Sequence, residues 1–350
     1  VLGTPSAPSS SSSAPPSISG KPLPPRTFTL AAGGDILIHP AVTDQAAADG
    51  NGVRNFTQVL DGLRGALKAD LSICHLETPL SAPGAEVFGY PAFSAPPEVA
   101  KALVGLGYDS CSTASNHTLD RGADGITNTL AAMDAVGLKH TGSARSPEEA
   151  AKPLILDAMG VKVAQISFTY GFNGIPLPQP WMANELDPQR IIEAARAARA
   201  AGAEVVVASI HWGTEYVSEP NDQQREIAAA VLADPAVDLI IGTHVHRVQP
   251  IEKINGKWVV YGMGNEIAKH EEPRGYTEEG LIARFHFVQT ATGWTVDRAE
   301  YLPTLIELGP PLRVVDLTAV PATPRRTQAL KDTDAVVRSL GGAEAGLTRP

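Results

Sequence analysis

The sequence predicts an α/β protein built of stacked layers, and three patterns predict it. Helix- and strand-patterned segments alternate through the first two thirds of the chain, apolar strands end in polar clusters, and the last third changes to hairpin signals. The first strand is Thr27-Phe-Thr-Leu-Ala-Ala, which runs into a loop at Gly33-Gly34-Asp35 that continues to His39. A helical pattern over 55–68 precedes a strand over 71–76, a helix over 97–106, a strand over 110–114 and a helix over 124–136. Buried-strand composition returns at 161–168. Asp187-Pro188 then opens an Ala/Arg-rich helix to 201, because a proline at the first helical position gives up no intrahelical bond. A strand over 204–210, a helix over 222–232 and a short strand over 239–242 follow. Asn255-Gly256 between apolar runs marks a hairpin, as does Ala291-Thr-Gly293 between strands over 281–288 and 294–301.

The ends differ from this body. Residues 1–26 hold eight Ser and seven Pro with no acidic residue, too little apolar surface to offset the ordering entropy, and read as a disordered tether. Such a stretch is found after export signals and lipid-anchored cysteines, and equally as a linker, so it leaves the compartment open. After about residue 315 the chain is Pro- and Ala-rich with one short helix over 327–340. The expected organisation is therefore a tether (1–26), a metal-dependent domain (27–315) and a peripheral extension (316–350).

Composition narrows the function. Apolar residues make up 43% and charged residues 19% of the 350, enough to bury an enzyme-sized core and too few charges for a disordered chain. A balance of 28 basic to 38 acidic side chains, net −10, with no Lys/Arg run, argues against a non-specific nucleic-acid binder. An acidic partner then needs a local positive centre, which a bound metal ion can supply. No uncharged apolar stretch reaches the roughly 18 residues of a membrane-spanning helix. The two cysteines, Cys74 and Cys111, form neither a disulfide framework nor a paired-cysteine zinc site; they read as inert core residues that could pair only if their strands are neighbours.

Chemistry concentrates just past strand ends, where open α/β sheets place ligands. Five clusters fit: Gly34-Asp35 with His39, His75-Leu-Glu77-Thr78, Ser115-Asn116-His117-Thr-Leu-Asp120, His211-Trp212-Gly213 and Gly242-Thr-His244-Val-His246. They contain six of the nine histidines, too many for chance structural hydrogen-bonders, although His75 by itself keeps that reading. Carboxylates, an Asn carbonyl and imidazoles without thiolate suit a divalent ion, Mn, Fe, Zn or Ca, rather than copper(I) or iron–sulfur. His244 and His246 can share one centre whether the backbone turns between them or stays extended. Phe168, Phe172, Trp212 and Tyr170 read as core or pocket wall. The irregular Pro/Gly-rich 170–181 segment reads as a lid.

The ordered motifs GD, HLETP, SNHTLDRG, HWG, GTHVH and YGMGN resemble those of the bacterial CapA-like proteins of poly-γ-glutamate capsule synthesis, within the calcineurin-like metallophosphoesterase superfamily. The resemblance runs from about residue 28 to 287. It implies a four-layer αββα sandwich of two mixed sheets. Carried over residue by residue, it makes Asp35, Glu77, Asn116, His211, His244 and His246 metal ligands, and His117 with Asp120 an acid/base pair. Two departures stand out: the histidine usually two residues after the first aspartate is absent, the nearest being His39, and Glu77 stands where the superfamily has a bridging aspartate.

Three functions fit these residues. The leading one is metal-dependent peptide modification by His/carboxylate acid/base chemistry, most specifically Cα epimerisation as in the lasso-peptide epimerases, a CapA-like branch with similar motifs. Its proton carriers would be His117 with Asp120, and one of the metal-region histidines with Asp35, with His39 as a further catalytic candidate. The second is hydrolysis of a phosphoester or γ-glutamyl amide by water activated at the metal. The third is a non-catalytic factor in poly-γ-glutamate synthesis or export. A peptide enzyme would be cytoplasmic, a capsule factor exported or tethered.

Overall fold

A computed structural model describes residues 3–4 and 24–350, so the expected tether lies almost wholly outside the described residues. The first half of the chain alternates β1 (Thr27–Ile36), α1 (Pro40–Asp49), α2 (Thr57–Leu60), β2 (Leu71–Leu76), α3 (Glu98–Leu106), β3 (Ser110–Ser112), α4 (Gly122–Val136) and β4 (Lys139–Thr141). These four strands lie side by side and parallel. After α5 (Pro147–Ala150) a second sheet is laid down: β5 (Leu154–Ala158), β6 (Val161–Thr169), α6 (Pro188–Ala200), β7 (Val205–His211), α7 (Asp222–Ala233), β8 (Leu239–Thr243), β9 (Ile251–Ile254) and β10 (Lys257–Val260). Its order is β5-β6-β7-β8-β10-β9. The chain then rejoins the first sheet through β11 (Asn265–Ile267), β12 (Glu279–Thr290), β13 (Gly293–Glu307) and β14 (Arg313–Asp316), and ends in α8 (Pro324–Val337) and β15 (Leu347–Thr348).

Side-chain alternation stacks the layers. Along β1, Phe28, Leu30 and Ala32 meet Val205 and Val207 of β7, Val161 and Val163 of β6, and Phe285 and Phe287 of β12 in a core between the two sheets. The opposite face of the first sheet packs on α1 to α4, while Val206, Ala208 and Ile210 of β7 pack on α6 and α7. A strand buried on both faces needs a near-continuous apolar run, which Val205-Val-Val-Ala-Ser-Ile supplies with Ser209 its one polar residue. The result is the four-layer αββα sandwich of two mixed sheets.

Several elements depart from the sequence reading, each for a local reason. Gly33 and Gly34 continue β1 as strand, with a register shift against β2, instead of forming a loop. A Cβ on Gly34 would lie 2.2 Å from the Gly264 carbonyl oxygen, so glycine lets β11 pair directly on β1. The helix expected over 55–68 stops at Leu60, because Gly62 bridges to Val315 and a Cβ there would strike the Val314 carbonyl at 2.2 Å. The segment expected to be a peripheral extension is built in: β15 pairs with β13, and Val337 and Leu347 belong to the core between the sheets. Cys74 and Cys111 are direct partners in the β2–β3 register and are joined as a disulfide.

Candidate metal centre

The C-terminal ends of β1, β2, β3, β7 and β8 converge on one point, because parallel strands of both sheets end on the same side of the sandwich. Asp35 sits at the end of β1, Glu77 one residue past β2, Asn116 in the loop after β3, His211 at the end of β7, and His244 and His246 in the turn after β8; all are buried. That turn is sharp. His244 (φ 100°) and His246 (φ 54°) both occupy left-handed backbone, which disfavours non-glycine residues. The His244 N–H donates to both Asp35 carboxylate oxygens at 3.1 and 3.2 Å, tying the turn to β1.

The side chains aim their free atoms at one another. His211 Nε2 lies 3.0 Å from Asn116 Oδ1 and 3.9 Å from Glu77 Oε1; His246 Nε2 lies 3.6 Å from Glu77 Oε1, and His75 Nε2 lies 3.9 Å from Asp35 Oδ1. The other nitrogen of three rings is held from outside: His211 Nδ1 by the Thr243 hydroxyl at 3.1 Å, His75 Nδ1 by the Ser112 hydroxyl at 2.8 Å, and His246 Nδ1 by Asn265 Oδ1 at 3.0 Å. Outer partners of this kind orient metal-binding imidazoles. Both Glu77 carboxylate oxygens, His75 Nε2 and His244 Nδ1 are buried with no hydrogen-bond partner. Such groups are costly unless something compensates them. A divalent cation compensates all four, so the residues present fit one.

Electrostatics agree. Burial pushes Asp35 up to about 8, against the His244 N–H that favours its anion, and the Glu215 charge adds to the rise. Burial and the neighbouring Asp35 and Glu215 carry Glu77 well above the carboxylate range. Burial holds His75 and His244 down at about 3, and His211 and His246 well below the usual histidine value. Neutral imidazole is the form that binds a metal, and a cation's own charge would bring both carboxylates back to their anions.

Beside this cluster opens a cleft of about 860 Å³, whose walls include His39, Asn116, His117, Glu215, Lys269 and Arg274. His117 Nδ1 lies 2.7 Å from Asp120 Oδ2, which also accepts the Phe93 N–H at 2.7 Å, so the carboxylate is fixed from two sides. His39 stands apart from the cluster. Its Nδ1 accepts the Lys269 N–H at 3.2 Å, and its ring faces His270 with centroids 5.0 Å apart. No His39–Asp35 pair forms among the described residues.

The structure brings Asp35, Glu77, Asn116, His211, His244 and His246 together and puts His117, Asp120 and His39 around the adjoining space. Sequence reasoning missed three participants. His75 keeps its structural bond to Ser112 yet also points at Asp35. Glu215 reaches the cluster with His244 and His246 from the solvent side, and Asn265 supports His246. Glu215 follows His211-Trp-Gly-Thr directly and Asn265 ends the quoted YGMGN run, so both were within reach of the motifs. Of the aromatic residues, Phe168, Phe172 and Trp212 are core, while Tyr170 stands over His244 with ring centroids 4.5 Å apart.

Two sheets in an αββα sandwich with a buried Asp/Glu/His cluster at their strand ends define the calcineurin-like class. A solved structure of the calcineurin-like phosphoesterase YfkN from Bacillus subtilis superposes with a TM-score of 0.51, covering 89% of this chain and 97% of that one, and at 14% identity the likeness concerns the fold alone. Within that class the chain belongs to the bacterial capsule synthesis protein PGA_cap family, whose model matches residues 29–270. It is 31% identical over 204 residues to the PGA biosynthesis protein CapA of Bacillus subtilis, covering 56% of this chain and 51% of that protein. It is 28% identical over 223 residues to a probable polyglutamine synthesis accessory protein of Mycobacterium tuberculosis, covering 59% and 58%. The chain thus matches only about half the length of these relatives.

Proposed function

We propose that the protein is a metal-dependent hydrolase of amide bonds in a glutamyl chain. The observation that carries this reading is the His117–Asp120 pair on the wall of a cleft that adjoins the buried Asp/Glu/His cluster. In this reading Asp35, Glu77, Asn116, His211, His244 and His246 hold a divalent cation, with His75 as a further ligand. When bound, the cation supplies Lewis acidity toward a carbonyl or a water. The chain's own residues do the rest. Asp120 fixes the His117 ring through Nδ1, leaving Nε2 to take a proton from the attacking water as that water's oxygen joins the carbonyl carbon, and to hand the same proton to the leaving nitrogen as the C–N bond breaks. Lys269 and Arg274 on the cleft wall suit the carboxylates of such a chain, and the relative named for PGA biosynthesis supports that substrate class.

Cα epimerisation is the second reading, favoured by one observation: His39 lines the same cleft and is held neutral, its pKa pushed down to about 4 by burial and by His270. Epimerisation needs two proton carriers on opposite faces of one carbon, whereas of His39 and His117 only His117 has a carboxylate partner among the described residues, so hydrolysis ranks first. A purely accessory role, as the name of the mycobacterial relative says of that protein, is the third. The test is incubation of poly-γ-glutamate with Mn²⁺-loaded protein, with and without chelator, followed by size-exclusion chromatography. Chelator-sensitive shortening supports hydrolysis, and unchanged chains count against it.

A further inference from the structure

We propose that Asn265, at the start of β11, is a positioning residue that sets the tautomer of His246 and thereby presents Nε2 to the cation centre. The inference rests on reading the cluster as a cation centre, but its core is a hydrogen-bond argument about this chain alone.

The Asn265 side chain has three partners. Its Nδ2 lies 2.9 Å from the Thr277 carbonyl oxygen and 3.3 Å from His270 Nε2, and its Oδ1 lies 3.0 Å from His246 Nδ1. A backbone carbonyl only accepts, so the amide must turn its NH₂ toward Thr277, which leaves Oδ1, an acceptor, facing His246. His246 Nδ1 must then carry the proton, and Nε2 keeps its lone pair. That lone pair is on the atom 3.6 Å from Glu77 Oε1. The Nδ1 contact to Asp35 Oδ2, at 3.7 Å, is too long to compete with the 3.0 Å bond.

The device is needed because of where His246 sits. Its backbone is left-handed, and free histidine has no strong reason to protonate Nδ1. The amide is in turn held by its strand. Asn265 pairs with Asp35 in the β1–β11 register, and the next residue, Glu266, accepts the Tyr108 hydroxyl at 2.5 Å across the gap that Gly33 leaves open. One three-residue strand therefore touches the cluster twice, through backbone at Asp35 and through side chain at His246.

Two measurements test this. The first is ¹⁵N-edited NMR of the ring nitrogens of the cation-free wild-type protein, with His246 assigned from His246→Gln; the Nδ1-protonated form is expected, and the Nε2-protonated form overturns the proposal without any mutation at Asn265. The second is Mn²⁺ affinity by titration calorimetry for Asn265→Ala, expected to fall roughly 10–100-fold, the usual cost of losing an outer partner of a metal-bound histidine. Glu266→Gln alters the same strand without touching His246 and should bind Mn²⁺ within about threefold of wild type if the amide, and not the strand's mere presence, is what matters. An Asn265→Ala affinity equal to wild type, or an equal loss in Glu266→Gln, overturns the assignment. Failure of the wild-type protein to bind Mn²⁺ would contradict the cation-centre reading instead, while the tautomer measurement still decides the role of Asn265.

Discussion

His117 and its neighbours in the cluster differ in what their free atoms face, and single substitutions should separate them. His117→Ala is expected to lower turnover roughly 10²-fold or more, the size of a general acid/base contribution, with the cation content unchanged. Asp35→Ala and His246→Ala are expected to lose the cation. Metal analysis of the purified variants alongside their kinetics checks both, and loss of metal in His117→Ala would move that residue into the ligand set. At this scale the sequence was most informative. Polar residues stranded after apolar runs had to be compensated by something, and most of them meet at one point. Its blind spot was residues whose work is split: His75 donates one nitrogen to an ordinary structural bond, which hid the other.

The segment over 170–181 is the element whose role depends most on its surroundings. Tyr170 covers His244, Phe172 is anchored in the helix-side core, and Asn173 Oδ1 accepts from Asn116 Nδ2 at 3.2 Å, so the loop is fastened at one end beside the cluster. Replacing 174–180 by a short Gly/Ser linker, with Phe172 and Asn173 retained, is expected to raise KM about tenfold, or ~1.4 kcal/mol, with kcat less affected. An unchanged KM would remove the lid role. The core between the sheets makes a separate prediction: Phe285→Ala empties a site buried against both sheets and should cost about 3–5 kcal/mol, read as a shift in the denaturant midpoint. Elements with a long period were legible, such as the strand Val205–His211 and the hairpin at Asn255-Gly256, whose φ values of 53° and 79° suit the tight turn. Elements set by a distant backbone were not. Gly33, Gly34 and Gly62 look like loop punctuation along the chain, yet Gly34 and Gly62 let another stretch of backbone approach and Gly33 leaves room for the Tyr108–Glu266 contact.

For the molecule as a whole, the buried titratable groups predict how stability depends on pH. His39 and His270, near 4, His75 and His244, near 3, and His211 and His246, held well below the usual histidine value by burial, all bind protons more readily when unfolded. Their contribution to stability therefore rises with pH up to about 6.5, the unfolded histidine value. Burial raises Asp35 and Glu266 to about 8 and Glu77 above the carboxylate range, so these groups ionise first in the unfolded chain and lower stability from about pH 4 upward. Among the described residues seven histidines, counting the lowered His140, act against the raised carboxylates below 6.5, and above it Asp35, Glu77 and Glu266 continue to lower stability. Cation-free protein should thus be most stable near pH 6.5 and lose stability toward 8. With Mn²⁺ bound, Asp35 and Glu77 are held as anions and most of that decline should vanish, leaving the part due to Glu266; thermal melts across pH with chelator or Mn²⁺ check this. The layered architecture was legible only in part. Periodicity shows that strands exist and which are buried on both faces, but not that β1 to β4 and β5 to β10 form two sheets packed face to face; the resemblance supplied that, because sheet membership is decided by contacts far apart in sequence. The three-residue strand β11 had no period to read.

The central claim is that this cleft hydrolyses a glutamyl chain under cation control. Its most direct test is mass spectrometry of poly-γ-glutamate incubated in deuterated water with Mn²⁺-loaded protein, beside a chelated control. The account predicts shortened chains with no deuterium at Cα, absent from the control. Uncleaved chains carrying deuterium at Cα would contradict it and make the protein an epimerase, and chains unchanged in length and mass would contradict it in favour of a non-catalytic role.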